Sequence, residues 1–130
     1  MNIEKLAKKY YTKQGMEHIY VLTMIYGVYD HETHSRFHPS KRTPNSRTVG
    51  VSHDVESFRR SLAVDDFDIS EGGSNDWAVI EVSNTGLALP SIILAPVSLE
   101  EWYRYDRDSG VYVRMRKPKW SQGIVGWGLG

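Results

Sequence analysis

The chain of 130 residues contains no cysteine. This absence excludes disulfide bonds, thiolate metal sites and cysteine nucleophiles. Small secreted domains often depend on disulfides, so we expect a cytoplasmic protein. Long apolar runs are also missing: no stretch approaches the ~18 apolar residues of a membrane span, and residues 1–15 lack the apolar run of a signal peptide. We therefore expect no membrane partner.

The chain has no net charge, because 16 basic residues balance 16 acidic ones. General nucleic-acid binders are usually strongly basic, so neutrality counts against that class. The charges are nevertheless divided along the chain. Residues 36–47 carry four basic side chains and no acidic one, residues 54–81 carry eight acidic side chains against two arginines, and residues 104–119 carry six basic side chains against two acidic ones. This division predicts a dipolar surface.

The length and composition indicate one domain with a core of its own. Hydrophobic residues make up 40% and charged residues 25%, close to ordinary globular values. We predict an α+β fold, a small and mostly antiparallel sheet with two or three short helices. The predicted divisions are a helical extension at residues 1–15, the α+β domain at residues 16–119 and a glycine-rich apolar tail at residues 120–130.

Capping residues predict the helices. Asn2 precedes apolar residues at helical spacing, which predicts an N-terminal helix ended by Gly15. Asp54 precedes a second apolar stripe, with Arg59 and Arg60 on or near the outer face of that helix. The stripe consists of Val55, Phe58 and Leu62. The capping box at residues 98–101, with Trp102 in a hydrophobic staple, predicts a third helix of one or two turns.

Alternating apolar residues predict the strands. Both alternate sets are apolar in residues 18–29, so we expect a central strand that is covered on both faces. Residues 47–52 return as its antiparallel partner, residues 76–84 form a further strand, and residues 111–117 form the last one after a turn at residues 108–110. Flanking and internal prolines favour an edge strand or extended segment at residues 91–97.

The loop at residues 30–47 is long, polar and broken by two prolines, and loops of this length are usually functional or mobile. Its histidines, together with His53, could hold a divalent metal ion in a metal-dependent hydrolase. The histidines of the loop would share one face only if the segment were helical, and Pro39 disfavours a helix there. The zinc-binding motif HExxH is also absent. We therefore predict no metal site and no cofactor. The weak metal candidates are His31, His34 and His38.

Basic and aromatic side chains interleave in the C-terminal region. Arginine and lysine neutralise phosphates, and exposed aromatic rings stack on bases. Tyr112, Arg114 and Arg116 share one face of the last predicted strand, and bases of the loop could add to it. One alternative is therefore a nucleotide or nucleic-acid binding protein. The other interpretation of this face is an edge strand with a solvated surface.

The leading hypothesis is a non-enzymatic protein that binds a protein partner or a second copy of itself. The chain has no glycine-rich phosphate loop and no GxSxG elbow, so we lean against an enzyme. The tail mixes apolar residues with glycines, and we expect it to dock on its own domain, a second copy or another chain. An inhibitor, adaptor or assembly component of phage or bacterial origin fits this description. The candidate residues for binding protein or phosphate are Arg36, Arg42, Trp102, Tyr112, Arg114, Arg116, Trp120 and Trp127.

Overall fold

The strand that the sequence predicts after residue 17, rich in β-branched and aromatic residues, is an interior strand of the sheet. The computed structural model describes residues 2–12, 17–64, 75–84 and 99–121. The elements in chain order are α1 (Ile3–Tyr10), β1 (His18–Tyr26), β2 (Tyr29–Asp30), β3 (Ser35–Arg36), β4 (Asn45–Ser52), α2 (Val55–Val64), β5 (Trp77–Asn84), β6 (Glu100–Asp106), β7 (Val111–Met115) and a 3-10 turn (Lys119–Ser121). They confirm the predicted α+β class.

Strand order in the main sheet is β4-β1-β5-β6-β7, with every neighbouring pair antiparallel. The six residues from Tyr20 to Ile25 are all buried, with at most 4% of the surface of each exposed. Alternate side chains point to opposite faces, so both faces of β1 are covered. This confirms a central strand, although it ends at Tyr26 and not at the predicted Tyr29.

Both helices pack on one face of this sheet. The Oδ1 of Asn2 accepts hydrogen bonds from the amides of Glu4 and Lys5, and α1 buries Ile3 and Ala7 in the core. The Oδ1 of Asp54 accepts from the amide of Glu56 at 3.0 Å and so caps α2. The predicted stripe of α2 also packs in this core. Both capping predictions are confirmed.

The predicted third helix is wrong, because residues 100–106 form strand β6. A capping box is a local signal, and pairing with β5 and β7 satisfies the same backbone groups along the whole segment. The alternation of β6 places Tyr103 in the helix-side core and Trp102 in the cluster on the opposite face. Tertiary pairing therefore overrides the local preference.

The predicted last strand is confirmed as β7, which is an edge of the sheet and ends two residues before the predicted Lys117. The turn that joins β6 to β7 ends at Gly110, whose φ of 73° is in the left-handed region that favours glycine.

The predicted end of the first helix at Gly15 is wrong, because α1 ends at Tyr10 and Tyr11 is its C-cap. Two predictions fall outside the described residues: the extended segment at 91–97 and the tail from 122 onward, including Trp127. The proposed divisions after residues 15 and 119 stay predictions. In the described part of the chain, no helix has the length and apolar character needed to cross a membrane.

Candidate functional site: a basic and aromatic cleft

A cleft of about 700 Å³ lies between the two-stranded ribbon β2–β3 and the end of the β6–β7 hairpin. The cationic and histidine side chains that line it are Arg36, Arg104, Arg107, His34 and His38. The aromatic side chains that line it are Tyr29, Phe37, Trp77 and Tyr105. Residues from both basic segments of the sequence thus meet at one site.

The carboxylate of Asp76 holds the ribbon against the main sheet. Its Oδ2 accepts hydrogen bonds from the Gly27 amide at 2.9 Å and from Nη1 of Arg36 at 2.6 Å. The backbone of Asp76 also donates to the carbonyl of Ile25 and accepts from the amide of Tyr105. Asp76 therefore fixes one wall of the cleft relative to β1 and β6.

The ribbon itself has a well-bonded turn at residues 31–34. The Oδ1 of Asp30 accepts from the amide of Glu32, and its Oδ2 accepts from the hydroxyl of Thr33, both at 2.9 Å. The hydrogen bond from the Glu32 amide is the main reason that the pKa of Asp30 lies below its ordinary value. The predicted long loop is thus partly a β-ribbon.

The opposite wall consists of the end of β6 and the turn that follows. Arg104 and Arg107 are exposed there, and neither forms an ion pair with any residue in the described ranges. Asp106 accepts from the Ser109 hydroxyl and the Asp108 amide, which lowers its pKa and organises the turn. The two guanidinium groups remain available to a ligand.

A cluster of three tryptophans supports the floor of the cleft. The ring of Trp120 stands edge-on to Trp77 and Trp102, with centroid distances of 4.9 and 5.7 Å. Trp120 is among the residues predicted to bind protein or phosphate, and its ring packs against these two tryptophans. Trp77 reaches the cleft from this cluster.

The other predicted binding residues have different surroundings. Arg42 stacks over the Phe37 ring at 4.8 Å. Trp102 and Tyr112 are 1% and 3% exposed, and the Tyr112 hydroxyl donates to the Asn75 carbonyl. The expected stacking surface on β7 is therefore wrong for Tyr112, because its ring belongs to the core.

A second groove, of about 650 Å³, runs along the β7 edge and brings Trp102, Arg114 and Arg116 together. Arg114 already pairs with the carboxylate of Glu101 at 2.9 Å. Arg116 is exposed and has no ion pair with any described residue. This groove offers one uncommitted guanidinium, whereas the cleft offers two.

The sequence predicts Arg59 on or near the outer face of α2, but its side chain is only 22% exposed and contacts β6. Its Nε and Nη2 donate to the two oxygens of the buried Glu101, at 3.0 and 2.8 Å. Glu4 of α1 and Glu56 pair with the same guanidinium, while Arg60 is exposed as expected. The sequence carried no signal for this pair, because the helical period places a residue on a face and says nothing of its partner.

The buried pair perturbs the titration of both groups. Burial alone raises the pKa of Glu101, but the hydrogen bonds from Arg59 and from the Tyr103 hydroxyl outweigh it, so this pKa lies below its ordinary value. The hydrogen bond to Glu101, with smaller contributions from Glu56 and Glu4, raises the pKa of Arg59. Burial together with the hydrogen bond to Glu101 raises the pKa of Tyr103. All three groups keep their ordinary charge states at neutral pH, which favours a structural role.

The predicted weak metal candidates do not assemble. Within the ranges that the structure describes, no group of three or more His, Cys, Asp or Glu side chains is arranged to hold a metal ion. The His31 ring stands edge-on to Tyr29, and Nδ1 of His38 is hydrogen-bonded to Ser40. His34 lines the cleft.

Comparison of the chain with protein-family models, with curated proteins and with solved structures gave no match. A fold class hosts many unrelated activities, so any functional conclusion depends on the chemistry of the cleft.

Proposed function

We propose that the protein binds a ligand that carries both phosphate groups and an aromatic base, a nucleotide or a short stretch of nucleic acid, in the cleft. The observation that carries the proposal is the pair of exposed arginines, Arg104 and Arg107, which have no ion-pair partner in the described residues and face the same cleft as four aromatic rings.

Guanidinium groups suit phosphate because their planar N–H donors match two phosphate oxygens at once. Aromatic rings stack on any base, and the exposed Tyr29 offers such a ring. The volume of the cleft falls within the range of about 300–1,000 Å³ that is typical of small-molecule sites. Because the whole chain is neutral, attraction acts locally, and a short ligand suits the site better than a long nucleic-acid tract.

We propose binding and not catalysis. Among the described residues that line the cleft, the acidic one is Asp76, and its carboxylate already accepts from Gly27 and Arg36. The hydroxyl of Ser35 is hydrogen-bonded to Thr33. The cleft thus has positive charge and stacking surfaces, but its polar lining offers no nucleophile with a neighbouring base.

The earlier hypotheses stay open in part. A protein partner or self-association through the tail remains a prediction, because most of that segment lies outside the described residues. The cysteine-free composition supports the cytoplasmic location, which we retain as part of the proposal. The phage or bacterial origin likewise remains a prediction.

The test is a fluorescence or calorimetric titration with AMP and with a short single-stranded oligonucleotide, at low and at raised salt. We expect binding that weakens with salt, and a loss of about a hundredfold or more in R104E/R107E, since each of the two charge-assisted hydrogen bonds contributes about 1.5–3 kcal/mol.

The controls each reverse one arginine outside the cleft, which is half of the charge change in R104E/R107E. Arg60 on α2 has a side chain that is 69% exposed, so R60E should bind like the unaltered protein. R116E tests the β7 groove in the same way. No binding at low salt, or equal losses in R60E and R104E/R107E, would overturn the proposal.

A further inference from the structure

The backbone at His34 is in the left-handed region, which is uncommon for residues other than glycine, although histidine, asparagine and aspartate adopt it more often than the rest. Its φ is 56°, and it is the one non-glycine residue in the described ranges with a positive φ. The left-handed region costs an L-residue about 1–2 kcal/mol, glycine avoids that cost, and asparagine tolerates the region well. A turn that ends in this way would usually have glycine or asparagine at this position.

The rest of the turn does not depend on the imidazole. Asp30 organises the turn through its bonds to Glu32 and Thr33. The His34 ring is exposed and has no hydrogen bond or ion pair with another described residue. The neighbouring histidines differ, because the His31 ring packs on Tyr29 and His38 is hydrogen-bonded to Ser40. The described fold therefore leaves the imidazole of His34 without a structural partner.

The position of the His34 ring indicates a role in ligand binding. His34 lines the same cleft as Arg104 and Arg107. An imidazole can donate one hydrogen bond when neutral and two when protonated, and a phosphate oxygen is a strong acceptor. We infer that His34 contacts the phosphate of a bound nucleotide and makes the cleft prefer nucleotides over nucleosides. This inference rests on the proposed function and extends it to one residue and one ligand group.

The experiment compares H34G and H34N with the unaltered protein, using AMP, adenosine and a short 5′-phosphorylated oligonucleotide as probes. Both replacements suit a positive φ, so we expect the thermal midpoint to stay unchanged or to rise. In H34G, affinity for AMP and for the oligonucleotide should fall by about tenfold, the loss expected for one hydrogen bond to a charged group, while affinity for adenosine stays the same. H34N should lose less, because the asparagine amide can still donate a hydrogen bond. H53N is the matched control, because His53 is exposed between β4 and α2 and does not line the cleft.

Three results would overturn the inference. If both H34G and H34N bind AMP as tightly as the unaltered protein, the proposed function stands but His34 has no part in it. A lower thermal midpoint in both variants would show that the ring serves the fold. If the unaltered protein binds neither AMP nor the oligonucleotide, the proposed function itself fails and His34 with it. If the His34 variants lose affinity for AMP alone, the ligand is a free nucleotide. If they lose affinity for both AMP and the oligonucleotide, the site also accepts the phosphorylated end of a strand.

Discussion

Replacing Arg59 by alanine should destabilise the protein far more than the same change at Arg60. Arg59 donates two hydrogen bonds to Glu101, whose side chain is 1% exposed, and also pairs with Glu4 and Glu56. It therefore joins both helices to β6. Arg60 is adjacent in sequence, but its side chain is 69% exposed, and its contact with Asp54, which is also exposed, is 3.6 Å long.

The size of the effect follows from the buried carboxylate that the substitution leaves behind. Removing one partner of a buried ion pair typically costs about 3–5 kcal/mol. Tyr103 and Arg114 still contact Glu101 in the variant, so we expect about 2–4 kcal/mol for R59A. For R60A we expect a change within about 0.5 kcal/mol. Urea denaturation at neutral pH, followed by circular dichroism, measures both.

The stability that the Arg59–Glu101 pair contributes depends on pH. The pKa of Glu101 is raised by burial but lowered overall by its partners. Its contribution in the unaltered protein is therefore present above the unfolded-state pKa, about 4.3, and is lost as pH falls through the lower folded-state value. In R59A, burial acts with fewer opposing partners, and protonation relieves an uncompensated charge. The stability difference between R59A and the unaltered protein should narrow as pH falls. A cost below about 1 kcal/mol at neutral pH, or a widening difference in acid, would refute this reasoning.

Two further predictions concern the packing of the sheet and the wall of the cleft. A Cβ at Gly50 would lie 2.8 Å from Cε1 of Phe58, so G50A should lower the free energy of unfolding by about 1–3 kcal/mol in urea denaturation. An unchanged midpoint would mean that the Phe58 ring moves aside without cost. D76N should weaken the hydrogen bonds from Gly27 and Arg36, costing about 1–2 kcal/mol and speeding hydrogen exchange at the Gly27 amide, and unaltered exchange there would show that Asp76 does not hold the ribbon.

Much of the sheet could be predicted because its signals are local. The double-sided apolar pattern of residues 18–26 is sufficient to identify a central strand, and Asn2 and Asp54 are sufficient to start two helices. The wrong prediction of a third helix after residues 98–101 has the same cause. Its capping box is a local pattern, and the pairing of β6 with strands on both sides depends on residues distant in sequence.

The cleft was harder to predict, because it depends on contacts between distant segments. The sequence indicated two basic segments, but it did not indicate that Arg36 from one would face Arg104 and Arg107 from the other. The hydrogen bond from Arg36 to Asp76 brings them together. The same limit applies to Arg59, since helical periodicity cannot reveal a carboxylate on a strand 42 residues away.

The most direct test of the central claim is to map the ligand by NMR. Backbone amide shifts of the ¹⁵N-labelled protein would be recorded during titration with AMP at low salt. We predict that the amides that shift most lie in residues 34–38 and 104–107, on the two walls of the cleft. Shifts concentrated along residues 114–117 of the β7 groove, or no shifts at all, would contradict the account.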